Sequence, residues 1–468
     1  MNRSFATMSP MKASLVCVWL LVTLTPVVRG GSPVAATAPD DPPAATAPGR
    51  GEVWTLERAV ATALANNPTA RIAEHRLRAA QALIRQADSA LWPKLQFEAG
   101  YQRTDNPMYV FGSILNQRSF SPALDFNNVP EVDNLDVRGV VTWPLYAGGA
   151  ITAQRRAARS GAEAAKADQQ AVRRTLAFEV TRAFHNVLKT REFIRAAEAA
   201  VRAFEANAAI ATNRYRAGTL LKAELLDVEV RLAQARENLV RARNAHELTR
   251  RVLANLMGVA QEAIQVADNA PDLPEPPAGT PPQRAELAAL QHRVAAAEAA
   301  VRAAQAGHLP RVGLFGSGQY DYGFETEGDG ASWSAGALVQ WDLWDGQLTR
   351  GRVQQARAEL DAAREQLRQL RQAIDLEIAR ARLLLREARE RVAVTSAAVV
   401  QAEESVQLTR ARFEQGLALA TQLIDAETAL TAARVNLAEA RADARIAVAA
   451  LRHALGLPLF DSLEPTDN

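Results

Sequence analysis

An internal repeat limits the possible folds of this chain more than any other feature of its sequence. The segment 214–218 (RYRAG) corresponds to the segment 412–416 (RFEQG), which lies 198 positions further along. The same offset relates Trp143 to Trp341, Asp227 to Asp425, Glu229 to Glu427, and Gly258 to Gly456. Pro93 and Pro310 are 217 positions apart, so the first copy has nineteen extra residues between its proline and its tryptophan. We therefore expect two structurally similar halves.

Both copies show the same order of elements. Each begins with a helix of moderate length, at about 56–91 in the first copy and 284–308 in the second. Two strands follow, and then a very long helix, a glycine turn and a returning helix. From the amino terminus, the expected segments are a signal peptide at 1–31, a disordered linker at 32–51, the first repeat at 52–270, a proline-rich linker at 271–283, the second repeat at 284–458 and a tail at 459–468.

The first 31 residues have the features of an export signal. Lys12 precedes an apolar run at 15–24, which is too short to span a bilayer as a helix. Cleavage is expected near 29–31 or near 35–38. The only cysteine, Cys17, lies in the apolar run without the small residue that a lipoprotein signal places before it. The exported chain is therefore expected to have no disulfide and no lipid anchor.

Two stretches, 148–213 and 346–412, contain no proline and no cluster of turn residues. About 65 residues with a rise of about 1.5 Å each form a rod of roughly 100 Å, far longer than a globular domain requires. In the second stretch the apolar seam follows spacings of three and four, with one extra four from Ile374 to Ile378. This spacing predicts a left-handed coiled coil that is locally unwound near Ile374. The seam residues are Leu360, Ala363, Leu367, Leu370, Ile374, Ile378, Ala381, Leu385, Ala388, Val392, Thr395, Val399, Ala402 and Val406.

The returning helices repeat every seven residues and match each other between the copies. The matched positions are Leu225, Leu232, Leu239, His246 and Leu253 in the first copy and Leu423, Leu430, Leu437, Ala444 and Leu451 in the second. Gly218 and Gly416 suit the left-handed position that ends a helix. The pattern therefore predicts two antiparallel coiled-coil hairpins that turn at these glycines.

Alternation of apolar with small or polar residues predicts the strands. The alternating apolar residues are Leu95, Phe97, Ala99 and Tyr101 in the segment 94–103, and Trp333, Ala335, Ala337, Val339, Trp341 and Leu343 in the segment 333–343. Four strands are too few to close a membrane barrel, and an open edge in lipid leaves backbone groups unpaired. Copies of the chain are therefore expected to share one barrel.

Aromatic residues accompany these strands, as in the interfacial girdles of outer-membrane barrels. The residues expected at the membrane interface are Trp92, Tyr101, Trp143, Trp333, Trp341 and Trp344.

Composition and motifs argue against several classes of function. Charged residues make up 23% of the chain and the net charge is only +2, which gives no electrostatic support for nucleic-acid binding. No nucleophile–base pair, phosphate-binding glycine loop or paired-carboxylate site stands out, so an enzyme is not expected. The histidines show no ligand-like spacing, so we expect neither a metal site nor a cofactor.

Together with the repeat, several short motifs resemble the TolC-like outer-membrane efflux protein family over nearly the whole exported chain. These motifs are Leu56-Glu57 with Ala59, Ala63-Leu64, Asn66-Asn67-Pro68, Pro93, Trp143-Pro144-Leu145-Tyr146 with Gly148-Gly149, and the distal glycines Gly258 and Gly456. The resemblance implies a mainly α homotrimer with a small β part. Its coiled-coil hairpins would form a periplasmic α-barrel, and four strands per protomer would form a shared twelve-stranded outer-membrane β-barrel. It also implies that the hairpin tips dock on a periplasmic adaptor, through which an inner-membrane transporter delivers substrate.

The resemblance also implies a periplasmic gate at the hairpin tips. It maps the family's acidic ring to Gln422 and Asp425, and its polar lock to Phe413 and Ala418, which cannot form the same polar bonds. Glu224 takes the place of the acidic partner of that lock. For Asp425 and Glu224 the alternative is a solvated charge that the helix dipole stabilises. The expected adaptor-docking residues are Gly218, Thr219, Leu220, Gly416, Leu417 and Leu419.

A long loop at 106–134 in the first copy is too apolar to remain free in solvent. We expect it to pack over the mouth of the barrel or against a neighbouring protomer, with a recognition surface as the alternative. Its large apolar residues are Met108, Tyr109, Val110, Phe111, Ile114, Leu115, Phe120 and Phe126.

Two functions from different classes fit these features. The first is an exit channel of a tripartite efflux or type I secretion system, in the outer membrane of a Gram-negative bacterium and in contact with its lipid. The second is a periplasmic adaptor or scaffold whose hairpins bridge other proteins. A duplicated hairpin set with aromatic-flanked strands favours the channel.

Overall fold

Two long helical hairpins and a four-stranded sheet make up most of the molecule. The computed structural model describes residues 53–125, 127–260, 264–268 and 270–460. The predicted signal peptide and the linker at 32–51 lie outside the described residues. In chain order the elements are β1 (Val53–Trp54), α1 (Leu56–Asn66), α2 (Pro68–Ser89), β2 (Lys94–Thr104), α3 (Pro107–Asn116), β3 (Val132–Ala147), α4 (Ala150–Arg216), α5 (Lys222–Met257), β4 (Gln265–Val266), α6 (Ala285–Gln305), a 3₁₀ turn (Ala306–His308), β5 (Arg311–Tyr322), β6 (Asp329–Gln340), α7 (Leu348–Glu414) and α8 (Ala420–Leu455).

The two hairpins have the same dimensions. α4 and α7 contain 67 residues each, and α5 and α8 contain 36 each. α7 begins and ends 198 positions after α4, and α8 begins and ends 198 positions after α5. The structure therefore confirms the predicted duplication and its register.

The hairpins are held together along the predicted seams. α4 packs on α5, α7 packs on α8, and contacts between α4 and α8 join the two hairpins. All the predicted seam residues of α7 are buried or half-buried. Ile374, Ile378 and Leu385 form a core cluster with Leu451 and Leu455 near the end of α8. Among the described helices, none is both long enough and sufficiently apolar to cross a membrane.

The first helix is broken, whereas the sequence predicted one helix over about 56–91. A proline disfavours helical backbone at the residue before it, and Asn67 has the extended values φ −65° and ψ 129°. Pro68 then starts α2, and the Asn67 side chain caps it by accepting from the Thr69 N–H at 2.7 Å. The same side chain donates to the Leu256 carbonyl at 2.8 Å, which ties the break to the end of α5.

The four long strands form one antiparallel sheet in the order β2-β3-β5-β6. The register aligns Phe97 with Gly139, Gly318 and Trp333, so residues of one parity share a face across all four strands. This apolar face carries Leu95, Phe97, Ala99, Tyr101, Val137, Val141, Trp143, Leu314, Tyr320, Trp333, Ala335, Ala337 and Val339.

The opposite face of the sheet is mainly polar, and its side chains bond across the strands. Arg138 Nε donates to Gln319 Oε1 at 3.0 Å, and the hydroxyls of Ser317 and Ser334 are 2.9 Å apart. The predicted alternation is therefore confirmed. The predicted strand end at residue 343 is wrong, since β6 ends at Gln340.

The loop at 106–134 packs on the sheet through a short helix. Val110 and Ile114 on α3 are buried in a small cluster with Val132 at the start of β3. The buried Gln117 side chain donates to the Asp133 carbonyl at 2.7 Å. The loop is thus anchored at Val110 and Ile114, whereas its other large apolar residues are exposed, at Met108, Tyr109, Phe111, Leu115 and Phe120. Packing over the barrel mouth or against a neighbouring protomer stays a prediction, and Phe126 lies outside the described residues.

The ends of the repeats pack more closely than the sequence predicted. Leu459 belongs to a core cluster with Trp54 and Leu56, so the predicted tail begins with a packed residue. The rest of the predicted tail, residues 461–468, lies outside the described part of the chain. The segment 271–283 has neither helix nor strand, and Arg452 Nη1 donates to the Pro274 carbonyl within it at 3.0 Å.

Candidate functional site at the hairpin tips

The two hairpins turn in the same way at their tips. Gly218 and Gly416 have φ of +72° and +77°, a left-handed conformation in which a side chain costs about 1 kcal/mol. In the first tip the Thr219 N–H donates to the Arg214 carbonyl at 2.9 Å, and in the second the Leu417 N–H donates to the Arg412 carbonyl at 2.8 Å. These bonds close the last turns of α4 and α7. The predicted glycine turns are confirmed.

Two of the predicted gate residues cap the returning helices. Glu224 Oε2 accepts from the Leu221 N–H at 3.2 Å, and Gln422 Oε1 accepts from the Leu419 N–H at 3.3 Å. Glu224 and Gln422 are 198 positions apart, so they occupy matching positions and form the same capping bond in the two copies. The helix-end role weighed for Glu224 is therefore present in the structure, and a gate role stays a prediction.

An apolar cluster joins the tips of the two hairpins. The buried Phe413 packs with Phe204, Val228 and Leu423, and the half-buried Ala418 packs against the same cluster. Leu220 also lies in this cluster with 9% of its surface exposed, so packing between the hairpins accounts for this side chain, and its docking role stays a prediction. The exposed apolar residues of the tips are Leu221, Leu417 and Leu419.

Arg214 links the first tip to the second, and the sequence analysis missed this role. Its Nη1 donates to the Phe413 carbonyl at 2.8 Å, and its Nη2 donates to the Thr219 carbonyl at 3.1 Å. The guanidinium lies 4.9 Å from the centroid of the Phe413 ring, a cation–π distance. The bond to the Phe413 carbonyl and the ring contact join the two hairpins where a polar lock was implied, and the bond to Thr219 stays within the first tip. The position of Arg214 at the end of α4 is a weak sequence signal for this role, because Arg412 at the matching position makes no such link.

A buried ion pair joins α7 and α8 behind the tip cluster. Glu427 is 3% exposed, pairs with Arg410 and accepts from the Asn207 amide at 3.4 Å. The Asn207 oxygen and Arg410 Nε have no hydrogen-bond partner among the described residues. Because Asn207 lies on α4, this group joins the two hairpins as Arg214 does. Only the repeat pairing of Glu229 with Glu427 drew attention to this position in the sequence.

Asp425 has a different environment from Glu427. It is exposed and makes no hydrogen bond or ion pair with any described residue, and its repeat counterpart Asp227 is also exposed. An unpaired carboxylate near the tip is free to face a pore or solvent. Both interpretations of Asp425 are consistent with this geometry.

The six aromatic residues predicted at the membrane interface are all exposed. Trp143 and Trp333 lie within β3 and β6, whereas Trp341 lies just after β6. The indole N–H of Trp143 donates to the Leu91 carbonyl at 2.9 Å, and that of Trp341 donates to the His308 carbonyl at 3.1 Å. Leu91 and His308 are 217 positions apart, as the two prolines are, so each copy anchors its tryptophan on the end of its first helical segment. The predicted membrane-interface role stays a prediction for all six aromatic residues.

Comparisons with known proteins agree with this architecture. A family model described as outer membrane efflux protein matches residues 59–259 and 282–457. The chain is 28% identical over 387 residues to the protein CyaE of Bordetella pertussis, and the match covers 78% of this chain and 75% of CyaE.

Solved structures share the fold at lower identity. The outer membrane protein VceC of Vibrio cholerae is 22% identical with a TM-score of 0.75, covering 86% of this chain and 97% of VceC. The outer membrane channel CmeC of Campylobacter jejuni is 17% identical with a TM-score of 0.76, covering 86% of this chain and 85% of CmeC. The family model spans both repeats and favours the channel over the periplasmic scaffold. The chain therefore belongs to the outer membrane efflux protein family, as an outer-membrane channel that extends into the periplasm.

Proposed function

We propose that three copies of this chain form the exit duct of a tripartite efflux or type I secretion system and conduct substrates passively. The amphipathic sheet carries this proposal. Its outer strands, β2 and β6, have no further strand partner among the described residues. In lipid, each unpaired backbone group costs on the order of several kcal/mol. Pairing of β2 with β6 of the next copy removes this cost, and three copies close a twelve-stranded barrel.

The outer helices support the same assembly. Among the four hairpin helices, α5 packs on α4, α4 on α8 and α8 on α7, so α5 and α7 are the ends of this row. Both ends carry an exposed apolar stripe on one helix face, at Leu226, Val230, Val240, Leu248 and Val252 on α5 and at Leu376, Leu383, Val394 and Leu408 on α7. In a closed ring, α7 of one copy covers α5 of the next. This contact buries apolar surface that a single chain leaves in water.

At the hairpin tips, three copies bring three Asp425 carboxylates around one axis. Like charges that converge in a narrow opening repel each other and attract cations. The entrance is therefore expected to favour cations and to be blocked by multivalent cations from the periplasmic side.

The experiment is single-channel recording of the purified protein in planar bilayers. Asp425→Asn should reduce cation selectivity and the block by multivalent cations. Asp227→Asn is the matched control, because Asp227 is the exposed counterpart in the first hairpin, and it should change both properties little. Unchanged selectivity and block in Asp425→Asn would leave Asp425 as a solvated helix-end charge.

The partners in this proposal are a periplasmic adaptor and, through it, an inner-membrane transporter. The exposed Leu221, Leu417 and Leu419 at the tips provide an apolar surface for the adaptor. Replacing Leu417 and Leu419 with Glu should reduce export by cells while the trimer and its conductance in bilayers remain. If export continues at the wild-type level, the tips are not the docking surface.

A further inference from the structure

A cleft of about 730 Å³ lies between the two hairpins, far from the tips. The middle of α4 forms one wall and the middle of α8 forms the other, and Asp268 and Asp272 also line the cleft. Within α4, His185, Lys189 and Glu192 share one helix face, and within α8 Arg434, Arg441 and Arg445 share another. The cleft belongs to one protomer and does not depend on the proposed trimer.

The walls of this cleft are strongly cationic. Six cationic side chains line it, and they are Lys189, Arg191, Arg195, Arg434, Arg441 and Arg445. Among the described residues, three acidic side chains line it, and they are Glu192, Asp268 and Asp272. The cleft therefore carries an excess of positive charge within a small volume.

Four of these cations already have acidic partners. Arg191 pairs with Asp268, Arg195 with Glu192 at 2.5 Å, Arg434 with Glu403 at 2.8 Å, and Arg445 with Asp272 at 3.1 Å. Lys189 and Arg441 make no ion pair or hydrogen bond through their side chains with any described residue. Burial, and then the nearby Arg195, lower the pKa of Arg191. This part of the cleft therefore disfavours additional positive charge.

A buried polar group points to a ligand independently of these charges. His185 lines the cleft with 1% of its surface exposed, and its Nδ1 has no hydrogen-bond partner among the described residues. A buried polar atom without a partner costs free energy, and such atoms are rare in folded proteins. Burial lowers the pKa of the ring and keeps it neutral, so Nδ1, in the tautomer that carries its proton there, can donate a hydrogen bond to an acceptor that reaches it from the cleft.

We propose that this cleft binds a small multivalent oxyanion of the phosphate or carboxylate class. Arg441 and Lys189 supply the unpaired charges from opposite walls, and His185, which lines the same cleft, supplies the neutral donor. A guanidinium binds a carboxylate or a phosphate with two parallel hydrogen bonds, whereas an ammonium acts as a point charge. The volume of the cleft suits a small organic anion.

The test is calorimetric titration of the detergent-purified full-length protein at low salt with pyrophosphate and with citrate. We expect saturable binding of one anion per protomer. Arg441→Gln or Lys189→Gln should weaken it by about tenfold or more, since each removes a charge-assisted hydrogen bond. His185→Phe should weaken binding with little loss of ring volume, and its melting temperature shows whether it remains folded.

Arg382→Gln is the matched control, because Arg382 is an exposed cation on α7 that is outside the cleft and has no partner among the described residues. This variant should bind like the wild type. Binding of pyrophosphate alone assigns the site to phosphates, and binding of citrate alone assigns it to carboxylates. Absence of saturable binding for both anions overturns the proposal, as does an equal loss of affinity in Arg382→Gln and Arg441→Gln.

Discussion

At the scale of single residues, the two copies have diverged in how they use matching positions. Arg214 and Arg412 occupy the same place in their hairpins, but only Arg214 reaches across to the other tip. His185 is another example, because it is buried in α4 whereas Leu383, at the matching position of α7, is 61% exposed. Divergence at these positions makes the two hairpins unequal although their backbones match.

Arg214→Gln should loosen the link between the two hairpin tips. The variant loses the bond to the Phe413 carbonyl and the contact with the Phe413 ring, and a hydrogen bond from a charged group contributes about 1.5–3 kcal/mol. We expect a higher resting conductance in planar bilayers. Arg412→Gln is the control at the matching position and should conduct like the wild type. Equal conductance of Arg214→Gln and the wild type would show that this link does not hold the tips closed.

His185 should make the protein less stable in acid. Burial, and then the nearby Arg445, lower the pKa of His185 from 6.5 to about 4. Between these values the unfolded chain binds a proton that the native state does not, so stability falls as pH decreases from 6.5 towards 4. The full difference is on the order of 3 kcal/mol.

Thermal unfolding in detergent at pH 7.5 and pH 4.5 measures this effect. His185→Phe should lose less melting temperature on acidification than the wild type does. His292→Phe changes a half-buried histidine on α6 outside this core and should keep the wild-type loss. If His185→Phe shows the wild-type loss, the acid sensitivity originates elsewhere.

At the scale of elements, the sheet and the hairpins follow different rules. The hairpins bury their seams within one chain, whereas the apolar face of the sheet stays exposed in one chain. The difference follows from geometry, because each long helix has a returning partner and the apolar face of the sheet has none within the described chain. The sheet therefore depends on lipid and on further copies.

Val339→Arg should impair assembly in the outer membrane far more than Leu338→Arg. The two side chains are 65% and 59% exposed and lie on opposite faces of β6. On the lipid face an Arg costs about 2–4 kcal/mol at mid-depth, and a trimer contains three of them. Leu338 and Gln340 share the polar face, so Gln340→Arg should also be mild. The yield of heat-modifiable oligomer in outer-membrane fractions is the measurement, and equal yields would show that the lipid face is assigned wrongly.

At the scale of the whole molecule, the chain is one part of an outer-membrane channel, and its exposed surfaces match that status. The apolar stripes on α5 and α7 lie at opposite ends of the helix row, as a closed ring requires. A protein that worked as a single chain would gain nothing from these two stripes, because apolar surface in water is unfavourable.

Val394→Glu should reduce the trimer fraction, whereas Val400→Glu should not. Both valines are on α7 with similar exposure, but only Val394 lies on the stripe with Leu376 and Leu383. Burial of a valine contributes roughly 1.5–3 kcal/mol, and a buried unpaired carboxylate adds a further cost at each of three interfaces. Light scattering of the detergent-purified protein gives the fraction. An equal effect of both variants would place the interface on another face.

Much of the fold could be predicted because the local periodicity of apolar residues indicates the helices and strands. The seams of α7 and α8, the glycine turns and the alternation in β2 and β6 each depend on residues close together in the chain. The predictions failed where one residue changed the local geometry. Pro68 breaks the first helix, and β6 ends at Gln340 although the alternation continues to Leu343.

The candidate site was less predictable, because its contacts join residues far apart in the chain. Arg214 bonds to a residue about 200 positions away, and Glu427 meets Asn207 from the other hairpin. Spacing along one helix cannot show which side chain reaches across to another helix. Glu224 and Gln422 were predicted as gate residues, a role that stays a prediction, and their capping bonds became visible only in the structure.

The sequence by itself determined the duplication, the two hairpins and the need for partner copies. It could do so because period, length and strand number are properties of the chain read in order. Only the tertiary structure decided which side chains link the hairpins, that Leu220 is buried, and that unpaired cations face a buried His185 between α4 and α8. These facts depend on packing between helices distant in sequence, where burial and the distance between opposing side chains decide the contact.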